Sequence, residues 1–347
     1  MYNSFLHTGQ LTCYDSSGRP VDCSGTGQDP EYASGLSWPS PRFISSEPGL
    51  VTDRLTGLVW TENANLLDFP QTWAEALQAV GQMNQERFLG HADWRLPNRR
   101  ELRSLISHGS RKPALPGGHP FKSVYLGWYW TSTTAAIAPA YAWYVHLEGG
   151  RMFYGKKDGY CLTWPVRGTS PVLAATGQTS CFDVVGKEIS CSGTGQDGEF
   201  CLGVAWPEPR FKSTGQGIVD RLTGLCWYPE ADLCAGMTTW QNALDAAADL
   251  RRQTGLPWRL PTINELESLV DASAHTPALP QGHPFTNIRD GYWSSTTSFF
   301  EPDWSYCLYL NKGAVGVGWK PGPEFHCWPV LSLPHPVQTS SSTESNA

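Results

Sequence analysis

Charge is scarce in this sequence: only 16% of its 347 residues are Asp, Glu, Lys or Arg, and the net charge is −7. A general nucleic-acid binder clusters Lys and Arg against phosphate, so that class is excluded for the chain as a whole. Long apolar runs are missing too. No stretch approaches the ~20 apolar residues of a membrane-spanning helix, which speaks against membrane insertion. Glycine and proline are plentiful, at 35 and 27 residues, but they lack the three-residue period of collagen. The ten cysteines contain no Cys-x-x-Cys pair and no Cys/His cluster at zinc spacing, which points to disulfides and a location outside the reducing cytosol. The first ten residues carry no basic region followed by an apolar run, so a signal peptide is expected to be either already removed or absent. Neither Gly-x-Ser-x-Gly nor His-Glu-x-x-His occurs. The one Gly-x-Gly-x-x-Gly match, Gly193 to Gly198, follows a cysteine-bearing hairpin, opens no expected helix and has Pro30 at its last position in the other half of the chain.

What the chain does have is aromatic residues, 16 Trp, 13 Tyr and 13 Phe, and a duplication. Thr8-Gly-Gln-Leu-Thr-Cys13 returns as Thr176-Gly-Gln-Thr-Ser-Cys181, and Cys23-Ser-Gly-Thr-Gly-Gln-Asp29 returns as Cys191 to Asp197. Trp38-Pro-Ser-Pro-Arg-Phe43, Asp53-Arg-Leu-Thr-Gly-Leu58, Trp94-Arg-Leu-Pro97, His119-Pro-Phe121 and Trp164-Pro-Val166 all recur in the same order. A repeat this long is a domain rather than a solenoid unit. The expected layout is a first domain over 1–168, a linker over 169–175, a second domain over 176–330 and a flexible Ser/Thr-rich tail over 331–347.

Within each copy, Cys13 to Cys23 and Cys181 to Cys191 read as hairpins stapled by their own cysteines. Val51 to Trp60 and Ile218 to Trp227 read as strands bent at Thr-Gly. Thr72 and Glu75 form a capping-box pattern before the stripe Trp73, Leu77, Val80, Met83, matched by Trp240, Leu244, Ala247, Leu250. A second helix starts after Pro97 and Pro261, with Asn98/Glu101 and Thr262/Glu265 as caps. Aromatic strands follow, over Trp128 to Thr134, Tyr141 to Leu147, Met152 to Gly155 and Cys161 to Val166. Helices in the middle with strands on either side predict an α+β fold.

These motifs together resemble the family named after the C-terminal domain of the Legionella collagen-like adhesin, over nearly all of both copies. The resemblance implies two tandem C-type-lectin-like domains, each with two helices and a small twisted antiparallel sheet, in a bacterial secreted or cell-surface protein that binds glycans or other ligands through its loops. The Arg-Leu-Pro-Thr run, Arg259 to Thr262, with an acidic helix after it also resembles the formylglycine-generating branch of that fold group. That chemistry needs a reactive cysteine pair. Cys307 and Cys327 have no counterpart in copy 1 and read better as structural, so no enzymatic activity is expected.

Candidate sites follow from where the copies differ. Residues 1–168 carry a net charge of +1 and the remainder −8. Much of the difference sits at Arg99, Arg100, Arg103, Arg111 and Lys112. Arg99 and Arg103, four apart, share one helix face, and with Arg111 and Lys112 they form an expected anion-binding patch for an acidic glycan or for the acidic copy of a neighbouring molecule. Trp143 and Trp304 are the expected sugar-stacking residues. Glu301 and Asp303, on a Pro-bent loop, are carboxylates suited to calcium, the one cofactor the sequence offers ligands for. The expected disulfides are Cys13–Cys23, Cys181–Cys191, Cys226–Cys234 and Cys307–Cys327. Cys161 and Cys201 are left either to pair across the domain boundary or to cross-link molecules. The expected function is non-catalytic recognition of a glycan or surface protein. The alternative is a structural subunit that self-assembles head to tail into an extracellular filament.

Overall fold

Each copy begins with an arm. The computed structural model describes residues 5–332, so most of the expected tail lies outside the described residues, and Leu331 and Ser332 belong to a strand. In arm 1, β1 (Cys13–Tyr14) and β2 (Pro20–Val21) form a hairpin closed by the Cys13–Cys23 disulfide, and one helical turn, α1 (Asp29–Tyr32), follows. Body 1 contains β3 (Phe43–Glu47), β4 (Leu50–Asp53), β5 (Val59–Thr61), α2 (Trp73–Gln85), α3 (Arg99–Ser104), β6 (Trp128–Thr134), β7 (Tyr141–His146), β8 (Met152–Lys156) and β9 (Val166–Arg167). Arm 2 repeats the first with β10 (Cys181–Phe182), β11 (Glu188–Ile189), the Cys181–Cys191 disulfide and α4 (Asp197–Phe200). Body 2 contains β12 (Phe211–Ser213), β13 (Ile218–Asp220), β14 (Leu225–Trp227), α5 (Trp240–Thr254), α6 (Ile263–Ser268), β15 (Gly291–Thr297), β16 (Trp304–Tyr309), β17 (Ala314–Trp319) and β18 (Val330–Ser332). The fold is mixed α and β with small antiparallel sheets, in two similar halves.

Local chemistry explains the helix starts. The hydroxyl of Thr72 accepts from the Glu75 N–H while the Glu75 carboxylate accepts from the Thr72 N–H. Asn98 with Glu101 and Thr262 with Glu265 do the same for α3 and α6. Each such box satisfies two backbone donors that a helix end otherwise leaves free. The buried stripe of α2 is Trp73, Ala76, Val80 and Met83, so Ala76 takes the place expected for Leu77. Val51 to Trp60 is two strands rather than one bent strand: Gly57 at φ +76° lets its N–H reach the Asp53 carbonyl at 2.8 Å, turning β4 into β5. Of the expected strand Cys161 to Val166, only Val166 enters a named strand, β9.

Strands β3-β4-β5-β9 and β12-β13-β14-β18 make one four-stranded sheet in each body. A third sheet crosses the boundary in the order β15-β16-β17-β8-β7-β6. Its two halves join where Met152 pairs with Val315, residues at equivalent places in the repeat, so the join lies on the pseudo-twofold axis relating the copies. A core of Trp60, Trp143 and Trp164 from one body and Trp227, Tyr292 and Trp328 from the other runs through both.

The arms are exchanged. Gln10 of arm 1 clamps the backbone of Thr297 in body 2, accepting from its N–H at 2.9 Å and donating to its carbonyl at 2.6 Å. Asp29 accepts from the Thr296 hydroxyl at 2.7 Å, and Lys320 donates to the Asp15 carbonyl at 3.2 Å. Arm 2 repeats each contact on body 1: Gln178 clamps Thr134, Asp197 accepts from Thr133 at 2.7 Å, and Lys157 donates to the Phe182 and Asp183 carbonyls. The packing units therefore cross the contiguous tandem units read from the repeat. Part of the expected linker is also tied down, since Ala174 bridges Val204.

Candidate functional site

The residues expected to face a ligand are largely consumed by the junction between the bodies. Arg99 and Arg103 are 1% and 6% exposed, which corrects their reading as a surface patch. The Arg103 Nε donates to Glu267 of α6 at 3.0 Å and its Nη1 to the Gly150 carbonyl at 2.6 Å. Arg99 donates to the Gly313 carbonyl at 2.5 Å and lies over the Trp143 ring, its carbon 4.1 Å from the centroid. Arg100 donates to the Val270 carbonyl at 2.7 Å. Basic α3 and acidic α6 thus meet within the chain, and Arg103 and Glu267 occupy equivalent positions of the repeat. Helix α3 is buried on both sides, by its leucines and by its arginines, so its polar face is not a solvent face. Trp143, 1% exposed, is covered by Arg99 and unavailable to a sugar.

The other expected residues lie at the periphery. Arg111 and Lys112 are exposed and reach across the boundary to Phe299 and Phe300, with Lys112 also 3.2 Å from Glu148. Trp304 is half-buried at the start of β16. Glu301 is exposed and Asp303 half-buried, with Gly18 of arm 1 packed against the Asp303 backbone. Among the described residues no group of three or more His, Cys, Asp or Glu side chains is placed to hold a metal ion.

The cysteines correct two expected pairings. Cys13–Cys23 and Cys181–Cys191 are bonded, while Cys226, Cys234, Cys307 and Cys327 are all free thiols. Cys226 packs with Val219, Leu250 and Trp258, and Cys307 pairs in register with Trp293. Cys161 is buried against Trp73 and Trp130, and Cys201 is exposed. The buried Arg–carboxylate pairs have structural roles: Arg95 holds Glu101, Arg259 holds Glu265, Arg42 holds Asp53 and Arg210 holds Asp220.

Where the copies diverge most in surface character is one end of body 1. There Asn65, Asp68, Pro70, Tyr125, Gly127, Trp128, Tyr160, Cys161 and Leu162 line a cavity of about 280 Å³. Tyr160 is 72% exposed, Tyr125 54% and the neighbouring Phe69 74%. The wall is rigid. Trp128 packs on Tyr144 and His146 with centroids 4.2 and 4.5 Å away, Tyr125 donates its N–H to the Tyr129 hydroxyl at 2.9 Å, and Gln71 and Cys161 exchange backbone hydrogen bonds. The Asn65 amide donates to the Asp68 carbonyl at 3.1 Å, fixing the loop that carries the Asp68 carboxylate. Burial pushes the Cys161 thiol up to about 12, so it is a packing group at neutral pH. Clefts between an arm and the long helix of the opposite body exist in both halves, at about 690 and 340 Å³, so they belong to the shared architecture.

At the equivalent end of body 2 the aromatics are gone: Tyr125 corresponds to Arg289, Phe69 to Gly236 and, counting back from Trp-Pro-Val, Tyr160 to Glu324. Asn65 becomes Asp232, which is fully buried between the Arg289 Nε at 3.0 Å and the His326 Nδ1 at 3.1 Å. Tyr125, Tyr160 and Phe69 were missed in reading the sequence. The available signal was the substitution of aromatic residues in one copy by charged residues or glycine in the other.

The fold and this end define a single-chain pair of α+β domains that exchange arms and present one aromatic cavity. Residues 49–167 and 216–331 each match the model of the Lcl C-terminal domain. The chain belongs to the Lcl C-terminal domain family, in two copies. The match covers each body from its second strand onward and leaves out both arms as well as β3 and β12, so the Thr-Gly-Gln and Gly-Thr-Gly-Gln-Asp motifs lie beyond the matched segments. A search of curated proteins finds no match.

Proposed function

We propose that the protein is a non-catalytic, secreted or cell-surface binding protein of adhesin type, built on C-type-lectin-like domains, and that the aromatic end of body 1 takes an uncharged glycan. The observation that carries this reading is the cluster of Tyr125, Tyr160, Trp128 and Phe69 around a cavity beside Asp68. Aromatic faces suit the C–H face of a sugar ring, and a carboxylate and an amide offer partners to its hydroxyls. A cavity lined by a carboxylate and no cation disfavours sulfated or acidic sugars. Two disulfides support an oxidising compartment, and no described helix is long and apolar enough to cross a membrane.

The alternative, assembly through acidic-to-basic contacts between molecules, loses its main ground because that contact is made inside the chain by Arg103 and Glu267. Glycan-array profiling of the full chain beside a Tyr125→Ala/Tyr160→Ala variant tests the proposal. Neutral-glycan binding lost in the variant is expected. Binding confined to sulfated glycans, or retained by the variant, overturns it, and ordered polymers in light scattering would favour the assembly reading.

A further inference from the structure

The end of body 2 that corresponds to the aromatic cavity holds two thiols that copy 1 lacks. Cys234 and Cys327 stand where copy 1 has Leu67 and Thr163. The backbone sets them side by side: Leu233 donates to the Cys327 carbonyl at 3.0 Å, and Thr238 donates to the Phe325 carbonyl at 2.9 Å, so the 233–238 loop is tied along the segment leading into β18. The Cys327 thiol donates to the Ala243 carbonyl at 3.4 Å, and the two thiols are close enough that each shifts the other's titration. Cys327 is fully buried against Trp240, Ala243 and Leu244, with Cys234 packed at the edge of the same cluster. Of the other copy-2 thiols, Cys226 belongs to the separate cluster of Val219, Leu250 and Trp258, while Cys307 shares the cluster of Cys327 but sits on β16, paired in register with Trp293 of β15.

We propose that Cys234 and Cys327 form a third disulfide, which locks shut in copy 2 the end that copy 1 leaves open. This inference does not rest on the glycan reading. Half-buried Cys234 is the attacking sulfur because it is the one an external oxidant reaches, Cys327 being fully buried; contact with Cys327 also lowers the Cys234 pKa, while that contact and burial push Cys327 up. The Cys234 thiolate attacks a sulfur of an external disulfide oxidant, giving a mixed disulfide and releasing one oxidant thiol. Cys327 then attacks the Cys234 sulfur and expels the second thiol, so two electrons and two protons pass to the oxidant. Next to the bond, Asp232 joins the same loop to His326 and Arg289. The 232–238 loop is thereby held by a covalent bond and by the buried Asp232 carboxylate where copy 1 has an open cavity.

The test is alkylation of the full chain, isolated from an oxidising compartment, denatured without reductant, and peptide mapping before and after reduction. The expected result is that Cys161, Cys201, Cys226 and Cys307 are alkylated at once, while Cys234 and Cys327 resist until reductant is added and appear before that as one linked peptide pair. Cys13–Cys23 and Cys181–Cys191 serve as internal controls for oxidation. Alkylation of both Cys234 and Cys327 while those two bonds remain intact would overturn the proposal, as would a linked peptide joining either of them to Cys226 or Cys307. A Cys234→Ser/Cys327→Ser variant gives the second readout: its thermal midpoint should lie below that of the oxidised parent and coincide with that of the Cys234→Ser single variant, all measured without reductant so that Cys13–Cys23 and Cys181–Cys191 stay closed. An oxidised parent no more stable than the double variant would also overturn the proposal.

Discussion

The two copies share arms, sheets and capping boxes, but they treat the same end of the body in opposite ways. Body 1 spends hydrophobic burial there, leaving Tyr125, Tyr160 and Phe69 exposed around a cavity. Body 2 fills the place with the Arg289–Asp232–His326 cluster and the Cys234 and Cys327 thiols. Exposed aromatics cost solubility, and the proposed glycan site is what would use them in body 1. The difference teaches that one shared framework tolerates opposite chemistry at the same end: exposed rings in one copy, a buried carboxylate with thiols in the other. The junction carries the same asymmetry: copy 1 supplies Arg99, Arg100 and Arg103, and copy 2 supplies Glu267 and backbone carbonyls.

The largest effect should come from breaking the closed end. On the chain-entropy model a bond closing the long Cys234-to-Cys327 loop is worth about 4 to 5 kcal/mol, so the double serine variant should lose about that much in denaturant unfolding, and body 1 should be indifferent to the change. The junction comes next. Glu267→Ala leaves Arg103 buried with a lost partner, a cost of about 3 to 4 kcal/mol, readable as a lower urea midpoint. Because the two positions are related by the pseudo-twofold axis, exchanging them as Arg103→Glu with Glu267→Arg should recover part of the loss. No recovery in that double variant would show that the flanking carbonyls from Gly150 and Gly313, rather than the pair itself, set the preference for arginine on α3.

The repeat made much of this organisation legible, and its limits are physical. Caps and stripes were readable because they are local: Thr72 with Glu75 and Thr262 with Glu265 need only their own helix. The short-loop disulfides were readable because a turn brings Cys13 to Cys23 and Cys181 to Cys191. The arm exchange was not readable. Gln10 on Thr297 and Gln178 on Thr134 are the same contact made by the same residue types, so a repeated motif fits its own body and the other body equally well. For Arg99 and Arg103 the spacing identified the shared face, but what covers a helix face is decided by distant segments. Cys226 and Cys234 lie near each other in sequence but pack in different clusters. The family resemblance reached the bodies, and it could not show which copy carries the open end, because that depends on residues outside the shared motifs.

A smaller effect is expected at the open end. Each aromatic ring lost from the cavity should cost about 1 kcal/mol of binding, so Tyr125→Ala with Tyr160→Ala together should weaken a neutral glycan by roughly thirtyfold in calorimetry. Thermal stability should barely move, since both rings are largely exposed. The reciprocal variant, Arg289→Tyr with Glu324→Tyr in copy 2, sharpens the comparison. It restores two of the aromatics but leaves the end sealed by Asp232 and His326, so it should gain no binding. A gain there would mean that aromatic residues alone, and not the open cavity, make the site.

The smallest effect tests where the copies agree. Burial pushes Asp29 and Asp197 up to about 6, against hydrogen bonds from Thr296 and Thr8 in one case and Thr133 and Thr176 in the other. Around Asp29 the charged neighbours are Glu265, which raises it further, and Arg259, which opposes; Glu101 and Arg95 play those parts for Asp197. In the unfolded chain both carboxyls titrate near the ordinary aspartate value of ~3.9, so the folded form binds their protons more tightly. The stabilisation is complete below that value and is lost as pH rises through about 6. Between pH 5.5 and 7.5 each arm should lose about 1 kcal/mol of docking stability. Hydrogen exchange at the arm hairpins should therefore speed up, after correction for intrinsic rates, as the pH is raised across that window. Asp29→Asn should abolish the change for arm 1 while leaving arm 2 to titrate. Equal effects on both arms would mean that the exchange is one cooperative unit, and a pH response surviving in arm 1 alone would assign it to a group other than Asp29.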